Sequence, residues 1–232
     1  MNRSNLALET IRSQIFSGIL RPGDTISIPK LAKELGMSRQ PLNEALKQLE
    51  AMKIVEIIPQ VGSTVITPKK DDVVNFLYIF SAIEAAIFLR AAETAKLADL
   101  ENLEHLISED YEKWAQAKTD DEKSEIYRRH NRNFHKGVHI VAGSSVMTDI
   151  SYPLWDRMDF YITVAIGAYS FTPRLPDAFD EHTEIVSAMH SRDLLKVRQL
   201  TEQHVQSFIK ELPVFEKTAE VMGERGPSLV SI

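Results

Sequence analysis

Three of the seven histidines stand where they could hold an ion. Asn131 and His135 are four residues apart and so share one helix face. His182 lies in Asp180-Glu181-His182-Thr183-Glu184-Ile185, and His204 in Gln203-His204-Val205, each within a further stretch of helical pattern. Three imidazoles and one amide oxygen from three helices can converge inside a bundle, as bundle metal sites do. Neutral imidazole favours zinc, nickel, copper or iron, with open positions left for water or a carboxylate. Spacing by itself leaves the plainer alternative standing, that helical histidines fill surface or core. His139, one turn beyond His135, reads as packing sooner than as lining of the same cavity. His130 and His105 read as exposed. His190 reads as the end of its helix, where a cation suits the dipole.

A second group of residues could read nucleic acid. Residues 36–46 run Gly-Met-Ser-Arg-Gln-Pro-Leu-Asn-Glu-Ala-Leu. A short helix from Pro29 to Leu35 stops at Gly36, and after a tight turn Ser38 can cap a second helix to about Met52. That is a helix-turn-helix. The second helix opens on Arg39, a fork of donors suited to phosphate or guanine. Gln40 and Asn43 are three apart on one face and can reach base edges. Lys47 and Lys30 are placed to meet phosphate, with simple solvation as the alternative for both.

The elements that carry these groups follow from periodicity. Leu8, Ile11, Ile15 and Ile19 give a first amphipathic helix ending near Gly18, before the turn Arg21-Pro22-Gly23-Asp24. Leu31, Leu35, Leu42, Leu46 and Leu49 form the buried stripe of the next two helices. Ile54 to Ile58 is β-branched, Pro59 to Gly62 is a turn, and Thr64 to Thr67 returns as a second strand. Three helices and a hairpin make a winged helix-turn-helix, with Gly62 and Ser63 expected at the wing tip against a minor groove. Pro68-Lys69-Lys70-Asp71-Asp72 marks the boundary. Beyond it the pattern predicts helices over about 71–95, 99–117, 119–141, 145–169, 176–190 and from Asp193 to near Leu212. Thr119 with Glu122 forms a capping box. The fold class is therefore mostly α: a winged helix-turn-helix over 1–68, an all-helical domain over 69–220 and a loosely ordered tail over 221–232.

The net charge of −6 argues against nucleic acid when taken whole. It is unevenly spread: residues 1–68 carry +2 and residues 69–232 carry −8. A mildly basic end joined to an acidic body suits DNA contact confined to that end. The chain has no cysteine, which excludes disulfides and thiolate metal sites. The first residues lack the apolar core of a signal peptide, and charges interrupt the apolar runs before they reach membrane-spanning length. The expected location is the cytoplasm, with no membrane partner.

These N-terminal residues resemble the GntR family of bacterial transcription regulators. The resemblance rests on Gly18-Ile19-Leu20-Arg21-Pro22-Gly23-Asp24, on Leu31-Ala32-Lys33-Glu34-Leu35-Gly36-Met37-Ser38-Arg39, and on Pro41-Leu42-Asn43-Glu44-Ala45-Leu46 with Leu49-Glu50 and Gly62. The helical remainder resembles the ligand-binding domain of the FadR subfamily, the FCD type. Such domains are bundles that dimerise and often carry a metal. The resemblance implies Asn131, His135, His182 and His204 as ligands of a divalent transition ion, zinc or nickel among them. Three positions depart from the family. Asn43 replaces an Arg that reads guanine, Lys53 replaces a Gly before the wing, and Phe80 replaces an Arg facing the ligand pocket. Asn131 itself stands where Asp is commoner.

The leading expectation is a dimeric regulator, a repressor, that binds operator DNA and responds to a small organic acid near a histidine-held metal. No catalytic residue is expected. The competing readings are a helical metalloenzyme acting on a small acid, with Glu181 and Glu184 flanking His182, and a bundle that only dimerises. Trp155, Tyr161, Tyr169 and Arg157 are open to an effector pocket, but aromatics at this spacing are more often core. Arg157 is expected to pair with Asp156 or Asp159 in solvent. No effector-binding residue is assigned.

Overall fold

The computed structural model describes residues 2–166 and 175–212. Tyr169, Pro173 and the tail over 221–232 lie outside them. Nine α-helices occur among the described residues: α1 Arg3–Phe16, α2 Ile28–Glu34, α3 Arg39–Ala51, α4 Lys70–Thr94, α5 Leu97–Gln116, α6 Asp120–Ala142, α7 Ser145–Ile166, α8 Leu175–His190 and α9 Leu194–Gln206. Three short strands, β1 Thr25–Ile26, β2 Val55–Ile58 and β3 Gly62–Val65, pair antiparallel in the order β1-β3-β2.

Two compact units emerge. One contains the chain up to Lys70 together with α7 from Trp155 onward; the other runs from Asp71 to Leu154 and resumes through α8 and α9 to Leu212. Helix α7 thus changes unit at Leu154–Trp155, a division that linker composition does not reveal.

In the first unit most of the apolar stripe forms as its spacing predicts, although Leu8 and Leu35 are only half-buried and Ala7 is buried instead. Ala7, Ile11 and Ile15 of α1 pack with Leu42, Leu46 and Leu49 of α3, all buried. Ile19 departs from the expectation: α1 ends at Phe16, Gly18 turns with φ 73°, and Ile19 is exposed. Ser38 occupies the N-cap of α3 in extended conformation but forms no side-chain cap bond. The hairpin is joined by β1, which the sequence reading omits. The turn at Arg21–Asp24, closed by Arg21 N donating to Asp24 Oδ2 at 2.9 Å, delivers Thr25 opposite Thr64. Glu50 Oε1 accepts from Ile57 N at 3.2 Å and ties α3 to the wing. Arg12 bridges α1 to α7 through Asp156 at 2.8 Å and Asp159 at 3.9 Å.

The second unit is helical throughout its described residues. Thr119 and Glu122 cap α6 reciprocally, and Gly143 ends it in the left-handed conformation that a residue without Cβ adopts at no steric cost. Gly137 lets α5 approach α6, since a Cβ there would lie 2.9 Å from Leu103 Cδ2. Phe88, Phe134, Phe179, Leu103 and Met189 centre the core. The last helix tightens into a 3-10 turn at Ser207–Glu211, where Gln206 donates to Ser81 of α4 at 2.9 Å. Helix α4 bears on the expectation that no stretch spans a membrane. Its mean hydropathy of 1.7 meets the length and composition of a membrane span. Glu84 sits mid-helix, wholly buried and hydrogen-bonded within the bundle, which marks α4 as a core helix.

Candidate metal centre and nucleic-acid interface

The imidazole group assembles as its spacing allows. His135 of α6, His182 of α8 and His204 of α9 are 1%, 0% and 6% exposed. Their Nε2 atoms converge: His182 to His204 is 3.1 Å and His135 to His204 is 3.4 Å. One ligand atom from each lies within 4.8 Å of the others. Bonds of about 2.0–2.1 Å from zinc to imidazole nitrogen put neighbouring nitrogens about 3.0–3.4 Å apart. The His182–His204 and His135–His204 separations match that requirement.

Each ring is turned by a partner on its other nitrogen. Glu84 Oε2 lies 2.8 Å from His135 Nδ1, and Glu181 Oε2 lies 2.6 Å from His204 Nδ1. A carboxylate accepts, so both rings donate from Nδ1 and carry a lone pair at Nε2. His182 Nδ1 lies 3.0 Å from His130 Nε2, and His130 Nδ1 lies 3.3 Å from Asp110 Oδ2. Passing the donors along this chain from Asp110 gives His182 the same tautomer. Three lone pairs then face one point, and a cation there removes their repulsion. Asn131, one turn before His135, is buried, and its Oδ1 has no hydrogen-bond partner among the described residues. An unsatisfied buried carbonyl one turn from His135 on the same helix is chemically suited to serve as an oxygen ligand.

Electrostatics agree with this arrangement. Burial pushes Glu84 upward, but hydrogen bonds and charge from His135 and His139 outweigh it and hold the carboxyl at about 2. Ser151 Oγ adds a bond to Glu84 Oε1 at 2.5 Å. Burial pushes His135 down to about 4 against the pull of Glu84, with His204 and His139 adding to the fall. Burial likewise lowers His130 to about 4, partly opposed by Asp110. Both rings are therefore neutral at pH 7, the form that binds metals.

His130 corrects the sequence reading. It is wholly buried, stacked on Phe179 with centroids 4.3 Å apart. His139 is buried too, with Nε2 3.1 Å from both Glu84 oxygens. His105 is exposed, and His190 ends α8 beside Glu104 at 3.0 Å. Glu84 and Asp110 are absent from the sequence expectation, and Glu181 enters it only as a neighbour of His182. A lone acid inside the apolar run Phe80-Ser81-Ala82-Ile83-Glu84-Ala85-Ala86-Ile87 is the signal for the first of them. Glu181 is engaged by His204 and is not poised as a general base. Trp155 and Tyr161 are buried. Arg157 donates to Tyr161 Oη at 2.8 Å, and Asp156 and Asp159 pair with Arg12. Phe80 is buried and stacks on Phe76 at 5.4 Å.

At the other end, α3 divides cleanly. Pro41, Leu42, Ala45, Leu46 and Leu49 are buried, and Arg39, Gln40, Asn43 and Lys47 are exposed on the opposite face. Gln40 Nε2 donates to Glu44 Oε1 at 3.3 Å. Lys30, exposed at the start of α2, pairs with Glu34 at 3.9 Å. The wing differs from expectation. Pro59, Gln60 and Val61 form the exposed tip, with Gln60 at φ 66°. Gly62 already belongs to β3, and Ser63 is buried, because it stands opposite Ile57 on one side and Ile26 on the other. Lys53 adopts φ 59°, which explains the glycine that the family places there.

The chain matches the description "Bacterial regulatory proteins, gntR family" over residues 4–65 and "FCD domain" over residues 77–207. The chain belongs to the GntR family. Within it, the helical unit assigns this regulator to the FadR-like, FCD-containing subfamily. It is 26% identical to the HTH-type transcriptional repressor RspR of Escherichia coli (strain K12), across 84% of this chain and 82% of that protein. It is 27% identical to the HTH-type transcriptional regulator McbR of the same strain, across 79% and 80%. Among solved structures, E. coli McbR/YncC has a TM-score of 0.71 at 21% identity, covering 94% of this chain and 99% of that one. A GntR regulator from Rhodococcus sp. RHA1 has a TM-score of 0.62 at 20% identity, covering 97% and 100%. These two likenesses concern the fold. The family is one of DNA-binding transcription regulators, not of enzymes, and the regulator described here is a DNA-binding member of it.

Proposed function

We propose that this regulator is a cytoplasmic, homodimeric repressor whose helical unit holds one divalent transition ion and senses a small organic acid. The observation that carries the reading is the convergence of three Nε2 atoms, each on a ring whose Nδ1 is already engaged. His135, His182 and His204 would ligate the ion, with Asn131 supplying an amide oxygen. Zinc suits the donor set best and nickel is the next choice. Such an ion supplies a positive charge and open positions that a carboxylate can fill. The apolar residues Tyr78 and Ile79, one turn above the buried centre of α4, are exposed and offer a face for a second copy. The word repressor comes from RspR and is carried here by similarity.

On DNA, Arg39, Gln40, Asn43 and Lys47 would enter the major groove, with Lys30 on phosphate and the wing tip at Gln60–Gly62 beside the backbone. A dimer reads two half-sites about 34–36 Å apart or a multiple of that. An effector that favours a different spacing of the two readers lowers specific affinity in proportion to its preference for that state. Two measurements test the reading. Elemental analysis should find about one ion per chain in the wild type and under a tenth of that in the His135→Ala/His182→Ala/His204→Ala variant. A thermal-shift screen of organic and sugar acids should find a ligand that raises Tm only in the metal-loaded form. Equal metal content in both proteins would sink the site.

A further inference from the structure

Of the rings at the centre, His135 and His204 rest directly on a carboxylate. His182 makes a link of another kind. Its Nδ1 meets another imidazole, His130, which in turn meets Asp110. All three residues are buried. The second oxygen of Asp110 faces outward to Lys113 at 3.3 Å and Arg129 at 3.9 Å, both half in solvent.

We propose that Asp110 and His130 are positioning residues for the metal centre: a carboxylate–imidazole relay that fixes His182 as a lone-pair donor at Nε2. The inference rests on the metal reading above and assigns a role to two residues that ligate nothing. Its logic is a chain of single choices. Asp110 can only accept, so His130 must donate from Nδ1 and accept at Nε2. His182 must then donate from Nδ1, which leaves Nε2 to face the ion. Break the chain at His130 and either tautomer of His182 becomes available, one of which points a proton at the site. Partners of metal-bound histidines act in this way and are commonly worth 10–100-fold in metal affinity.

Packing alone would give His130 a different character. Its ring lies on Phe179 and within 6.2 Å of Phe134, so a purely structural role needs only an apolar group of similar size. Two substitutions separate the roles. His130→Leu keeps bulk and removes both nitrogens. His130→Gln keeps an acceptor and a donor spaced much as the two ring nitrogens are, so it can accept from His182 and donate to Asp110. Zinc affinity is measured on the full chain by competition with a chromophoric chelator, with circular dichroism to establish that each variant is folded. Asp110→Asn, which changes no volume, and His182→Ala complete the set.

The relay predicts that His130→Leu weakens zinc binding by about 10–100-fold, that Asp110→Asn weakens it by about tenfold, and that His130→Gln stays within about threefold of wild type. Long-range 1H–15N spectra of the imidazoles in the zinc-free protein should show His182 protonated at Nδ1 in the wild type and mixed in Asp110→Asn. Wild-type affinity in both His130→Leu and Asp110→Asn, with binding abolished in His182→Ala, would overturn the relay and leave the metal site standing. Failure of the wild-type chain itself to bind zinc would overturn both.

Discussion

The two units differ in how their working residues meet solvent: exposed in the first, buried in the second. In the first, Arg39, Gln40, Asn43 and Lys47 project from a helix whose other face does all the packing. In the second, Asn131, His135, His182 and His204 are themselves part of the packing. A surface contact residue can change without disturbing the fold, and its chemistry is seen only when DNA arrives. A buried imidazole cluster is tied to folding: its hydrogen bonds to Glu84, His130 and Glu181 link helices α4, α5, α6, α8 and α9. Changes at one end should therefore move affinity, and changes at the other should move stability first.

The largest expected effect is at the buried end. Removing the ion by chelation, or substituting His135→Ala, should lower the Tm of the helical unit by at least about 10 °C, since binding free energy at such a site is folding free energy. Calorimetry before and after metal removal measures it. An unchanged Tm would place the two ends in the same class and end the contrast.

Acid comes next. His130 and His135 are held at about 4, below their usual 6.5, so the unfolded chain binds more protons than the folded one. The stability they contribute is intact above pH 6.5 and is lost as pH falls from 6.5 towards 4. Glu84, held at about 2 against 4.5, extends the loss below pH 4.5. The metal-free protein should therefore show a falling Tm over this range. A Tm that rises on acidification from pH 7 to 5 contradicts the burial of these neutral rings.

At the exposed end, Arg39→Ala should weaken binding to a duplex from the regulator's own promoter region by about tenfold, roughly 1.4 kcal/mol, and reduce the salt slope by about one counterion. Its Tm should stay within about 1 °C of wild type. Gel-shift titrations at several salt concentrations read both quantities; a variant with wild-type affinity and slope removes Arg39 from the contact surface. The smallest effect is a gain. Lys53→Gly relieves a left-handed backbone and should stabilise the first unit by about 1 kcal/mol while leaving DNA affinity unchanged. Denaturant titration is sensitive enough to detect it.

The same contrast explains what the sequence disclosed. Exposed contact residues follow from helix phase once the buried leucines are known, so the face of α3 was legible. So were the ends of α6, written locally in Thr119, Glu122 and Gly143. Strand β1 was not, because two residues are too few to display alternation. Ser63 was misplaced because hairpin register depends on how the chain turns at Pro59–Val61, and one residue of slip exchanges tip for interior. His130 was misread although Tyr127, Phe134 and Val138 share its buried face of α6, a clue that helical phase contains. Glu84, Asp110 and Glu181 find their partners 51, 20 and 23 residues away, and no local period encodes such pairings.

Helix α6 supplies His135 and Asn131, and α8 and α9 supply His182 and His204, all at most 6% exposed. An ion seated there could leave only when helices part, which ties its exchange to rare opening of the bundle. Such an ion would exchange slowly with solution. Fluctuating metal supply would pass unnoticed by a finished protein, and whatever message reaches the operator would have to arrive by another route.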